Sequence, residues 1–107
     1  MTKTIRSQVV LAAVFALAST VCFAQSGGEA TYKAKCQSCH GATGLADTTA
    51  GKALKVKPVT DPDVKNFAED RMIDATTNGM GKMQPFKGKL TDAQIKDAVA
   101  YFRTLIK

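Results

Sequence analysis

The 107-residue chain has no tryptophan, one histidine, three prolines and three cysteines. Beyond residue 24 it has neither a long apolar run nor a stretch of alternating apolar and polar residues. Without alternation there is no half-buried strand to build a sheet from, so the domain is expected to be all-α. The length excludes a multidomain enzyme. Neither a second histidine, a paired acid nor a nucleophile constellation stands out, and the chain is read as a non-enzyme. Large apolar side chains are scarce as well. Hydrophobic residues make up 45% of the sequence, but sixteen of them fall in the first 24 positions. Setting aside alanine and cysteine, nineteen remain for the other 83 residues. A domain that small and thinly filled needs a staple, whether metal, disulfide or cofactor.

The first 24 residues read as an export signal and residues 25–107 as the mature domain. Lys3 and Arg6 form a positive start, Val9 to Ala18 is unbroken apolar, and Cys22 and Ala24 are small residues three and one before a cut after Ala24. Ser19, Thr20 and Gln25 interrupt a stretch that would need about 20 apolar residues to span a bilayer. Export implies a periplasmic, oxidising location and leaves two cysteines, Cys36 and Cys39. Loss of Lys3 and Arg6 lowers the formal net charge from +6 to +4. That is mildly basic, and export argues against a nucleic-acid partner.

Along the mature chain, Gln25 to Gly28 reads as a flexible lead-in to a helix over Glu29 to Cys39 that stops near Gly41. A Gly/Ala/Thr/Lys-rich loop follows to Val59, with one helical turn around Ala50 to Lys55. Asp61-Pro62 is a cap followed by a proline at the first helical position. Ala68 to Asn78 reads as an amphipathic helix, with Gly79 as its left-handed C-terminal cap. Thr91 to Gln94 has capping-box spacing. Ile95, Ala98, Val99, Phe102 and Ile106 then recur at helical intervals.

The chemistry lies in Cys36-Gln37-Ser38-Cys39-His40, the C-x-x-C-H signature of covalent haem c attachment. Positions i, i+3 and i+4 share one helix face, so both thiols can form thioethers with haem vinyl groups while the only histidine presents its imidazole to iron. The rivals are weaker. A thioredoxin-like pair needs a βαβ setting, zinc needs four ligands, and a disulfide between the two cysteines would leave His40 unexplained. Met72, Met80 and Met83 are the candidates for a second axial ligand. Met72 falls within the amphipathic helix as a core residue. Met80 and Met83 share the glycine-bearing segment Asn78 to Phe86, in which the backbone can approach a flat cofactor.

C-x-x-C-H, the N-G-x-G-x-M segment ending in Pro85 and Phe86, and the Leu90 to Leu105 helix together resemble a small bacterial class I c-type cytochrome over nearly the whole mature chain. The resemblance implies crossed N- and C-terminal helices enclosing one covalently bound haem, with His40 and Met83 on the iron. It departs from the family where many relatives have Met-Pro-x-Phe: here Met83-Gln84-Pro85-Phe86 keeps the Met-to-Phe spacing and moves the proline. It further implies that Gly28 allows close helix approach, that Tyr32 and Tyr101 fill the crossing, and that a loop proline, with Pro58 as the candidate, turns its carbonyl to the axial histidine.

Two axial ligands suit a one-electron carrier shuttling between redox proteins. Lys35, Lys52, Lys55, Lys57, Lys82, Lys87 and Lys89 are candidates to steer partners with acidic docking surfaces toward the haem edge. The protein is expected to be a monomer that meets membranes only through partner complexes. A haem-based sensor or ligand-binding protein, and a haem subunit of a larger respiratory or photosynthetic complex, remain the alternatives. N-terminal sequencing of exported protein should begin at Gln25; a start at Met1, or an acylated Cys22, would contradict the export reading.

Overall fold

The computed structural model describes residues 23–107, so most of the expected signal segment, Cys22 included, lies outside the described residues. Six helices follow in chain order: α1 (Phe23–Lys35), α2 (Gln37–His40), α3 (Thr49–Ala53), α4 (Pro62–Lys65), α5 (Glu69–Asn78) and α6 (Asp92–Thr104). Among the described residues the only β pairings are two isolated bridges, Met80 with Met83 and Lys87 with Leu90.

Local chemistry accounts for several of the helix starts. The Asp61 carboxylate accepts the Asp63 N–H at 2.8 Å, capping α4, with Pro62 at the first helical position. Thr91 and Gln94 close a reciprocal capping box: the Gln94 N–H donates to the Thr91 hydroxyl at 3.1 Å and the Thr91 N–H to the Gln94 side chain at 2.9 Å. The turn expected near Ala50 to Lys55 is α3, capped by Thr48, whose hydroxyl accepts the Gly51 N–H at 2.9 Å.

Tertiary contacts override the local reading elsewhere. The lead-in expected at Gln25 to Gly28 is helical, because Gly28 is buried where α1 meets α6. A Cβ on Gly28 would fall on the Asp97 carbonyl oxygen, so only glycine lets the two backbones come this close. The helix expected to run unbroken through Cys39 bends instead at Cys36 (φ −117°, ψ −34°) before resuming as α2. Gly79 ends α5 with positive φ (83°) but extended ψ (159°), not in the left-handed helical conformation. Its N–H still donates to the Ala75 carbonyl at 2.8 Å.

The core is small. Met72, Phe86, Ile95 and Val99 form its buried cluster, with Val64, Phe67, Ile73, Met83, Leu90, Phe102 and Ile106 packed against it. Met72 is 6% exposed, the core residue its helical position implies. A second apolar contact joins α1 to α6, where the Tyr32 ring lies 5.2 Å from Tyr101 and 6.1 Å from Phe102 between centroids. Replacing Gly28 with valine should force these helices apart and cost about 1–3 kcal/mol. Urea unfolding of the holoprotein checks this, and an unchanged midpoint would show that the close approach is not needed.

Candidate haem-binding site

Cys36, Cys39 and His40 sit on and just before α2, within reach of α1, α3 and α6. The helical hydrogen bond from the His40 N–H to the Cys36 carbonyl (3.0 Å) brings residues i and i+4 onto one face. Both cysteines are half-buried free thiols, not joined to each other. Burial, with the neighbouring Cys39 adding to it, pushes the Cys36 thiol up to about 11, which favours the protonated form.

Three elements hold the turn. The Thr48 hydroxyl donates to the Ser38 carbonyl at 2.7 Å, tying the start of α3 to α2. A Cβ on Gly51 would meet the Cys39 and Ala46 carbonyl oxygens, so α3 approaches α2 where only glycine fits. The Ala46 N–H donates to the His40 carbonyl at 2.8 Å, and the Tyr32 hydroxyl to the Gly41 carbonyl at 2.6 Å. Burial, reinforced by Cys36 and Tyr101, holds the Tyr32 phenol above its ordinary range.

The imidazole meets the edge of the Phe102 ring at 5.3 Å, and burial lowers its proton affinity. A neutral ring is what a metal ligand requires. Its Nδ1 is buried and finds no hydrogen-bond partner among the described residues. The contact expected from the Pro58 carbonyl is therefore not made. That carbonyl accepts the Asp61 N–H at 2.9 Å instead, as part of the turn leading into α4.

The methionine segment is anchored at both ends. Gly79 stands where a Cβ would press on the Met83 carbonyl and Pro85. Beyond the turn, the Phe86 and Lys87 N–H groups donate to the Thr76 and Thr77 carbonyls at 2.9 and 3.0 Å. The turn itself is closed by paired backbone bonds, Met83 N–H to Met80 carbonyl at 2.9 Å and Met80 N–H to Met83 carbonyl at 3.2 Å. The two thioethers have different surroundings: Met80 is 60% exposed, whereas Met83 packs against the core cluster. Phe102 packs against that same cluster and also touches His40, which links the two sides of the site.

Comparisons with known proteins show the family. The family profile described as cytochrome c oxidase, cbb3-type, subunit III matches residues 24–102. The chain belongs to this cytochrome c family. Cytochrome c6 of Synechocystis sp. is 30% identical over 94 residues, covering 87% of this chain and 76% of the relative. Cytochrome c6 of Leptolyngbya boryana is 36% identical over 78 residues, covering 73% and 87%. The solved KustC0563 c-type cytochrome superposes with a TM-score of 0.67 at 30% identity, covering 75% of this chain and 98% of that one. The all-α class I cytochrome c fold follows, and with it a covalently bound haem c and the role of an electron carrier, not an enzyme. The donor set fits that cofactor: two unpaired thiols three residues apart, an adjacent neutral imidazole and an apolar flank.

The sequence pointed to the attachment residues and to the crossing of Gly28, Tyr32 and Tyr101. It did not single out Phe102 as the neighbour of His40, nor Thr48 and Gly51 as the brace behind Cys39. Phe102 carried only a helical-period signal, and the other two lie in a segment without periodicity.

Proposed function

We propose that this cytochrome is an exported, periplasmic mono-haem electron shuttle in which Cys36 and Cys39 carry the thioether bonds and His40 and Met83 are the axial ligands. The haem supplies reversible one-electron chemistry when bound. With both axial positions filled by protein, neither oxygen nor a substrate has an open site to enter. The weakly donating Met83 thioether and the apolar side chains around it favour the reduced charge state, so the potential stands high among haem proteins. The observation that carries the choice of methionine is the contrast in burial: Met83 lies against the core and Met80 faces solvent.

The seven lysines expected to steer partners are all exposed. Lys57 is held by Asp63 at 2.5 Å and Lys89 donates to Gln84 at 3.2 Å. Lys82 lies within the methionine turn and Lys87 follows it, in a segment, residues 75–91, that has no acidic residue. A partner with an acidic docking surface meets the protein there, and the shuttle acts as a monomer. No helix among the described residues is long and apolar enough to cross a membrane. A second reading, a haem subunit docked on a respiratory complex, is favoured by the description of the matching family, and co-purification with membranes would mark it.

Visible spectra of oxidised and reduced protein test the ligand set. Wild type and Met80→Ala should keep the weak far-red band of iron–thioether ligation, and Met83→Ala should lose it. Loss of the band in Met80→Ala alone would move the ligand to Met80. Haem without the band in wild type would favour a ligand-binding sensor.

A further inference from the structure

A metal-bound histidine is usually oriented through its other ring nitrogen, which donates to a carbonyl, carboxylate or water. In this chain Nδ1 of His40 is buried without such a partner among the described residues. The contacts that the described residues do make with this residue are through its backbone and the apolar edge of its ring. Both peptide groups after the ring are pinned: the His40 carbonyl by the Ala46 N–H and the Gly41 carbonyl by the Tyr32 hydroxyl. Gly41 is buried with φ of +84°, and a Cβ there would meet the Asp47 carboxylate at 2.7 Å, so this link has little freedom.

Tyr32 is suited to act as the fixed end of the clamp. It is 1% exposed, and its ring is held between Tyr101 and Phe102, the latter touching the imidazole edge-on. With the ring held there, its hydroxyl donates to the Gly41 carbonyl at 2.6 Å. We propose that Tyr32 is a positioning residue for the axial histidine, its hydroxyl fixing the Gly41 peptide and so the rotation of the His40 ring about its bond to iron. This rests on the reading of His40 as an axial ligand.

Tyr32→Phe keeps the ring and removes only the hydroxyl; Tyr101→Phe does the same to the neighbouring ring, whose hydroxyl does not reach Gly41. Proton NMR of the oxidised holoprotein reads the outcome, because the spread of the haem methyl resonances follows the orientation of the axial ligand planes. Tyr32→Phe should retain haem and the far-red band, shift the methyl resonances and move the midpoint potential; Tyr101→Phe should leave both as in wild type. If Tyr32→Phe yields too little holoprotein, 3-fluorotyrosine at position 32, a stronger donor on nearly the same ring, should move the same resonances. Wild-type methyl shifts and potential in the variants at position 32, with only a lower urea midpoint, would reduce Tyr32 to a packing residue and overturn the proposal. A wild-type spectrum without His/Met ligation would overturn the proposed function first and is recognised before any variant is made.

Discussion

The close approach of α1 to α6 at Gly28 is the contact on which the rest of the molecule depends. It sets Tyr32 against Tyr101 and Phe102, and Phe102 is the residue that reaches both the His40 ring and the cluster on which Met83 packs. Move α1 away and the C-x-x-C-H turn, which continues directly from it, leaves the core with it. The buried cluster on its own is four side chains, a small nucleus for helices of which three have five residues or fewer. Isolated helices that short do not persist in water. Something beyond the protein's apolar residues has to hold them, and the covalently bound haem c of this family supplies that area.

The way α2 is built suits this arrangement. Its four residues are fixed by their surroundings: Thr48 and Gly51 from α3, Ala46 from the loop, Tyr32 from α1. These contacts hold the thiols and the imidazole on one face of the folded chain. Burial disfavours the charged form of the His40 imidazole, which leaves it available as a neutral ligand. A neutral imidazole with an apolar flank suits a carrier, because little has to rearrange when one electron comes or goes.

How far the sequence could be read depended on whether the signal was local. The Asp61-Pro62 start and the Thr91 capping box are each complete within four residues, and the structure places helices there, whereas the helix expected through the equally local C-x-x-C-H breaks at Cys36. Gly27-Gly28 reads as a flexible lead-in in isolation, yet it is helical, and Gly28 packs so closely on Asp97, far along the chain, that no side chain fits. The Pro58 carbonyl was expected at the histidine on family grounds, but the turn into α4 engages it with Asp61. Gly79 has the positive φ its position implies, while the return of Met83 and Pro85 over it sets the extended ψ. At Gly28 the missing information was which distant residue comes back to the helix; at Pro58 and Gly79 it was how the next few residues turn.

The central claim is that the haem completes a core the chain cannot build alone, and the direct measurement is urea unfolding of the apoprotein, made without haem attachment, followed by far-ultraviolet circular dichroism. Binding to the folded state alone stabilises it by linkage, so without that contribution the chain should show little helix and no cooperative transition. A helical apoprotein that unfolds in a sharp, two-state transition would contradict the account.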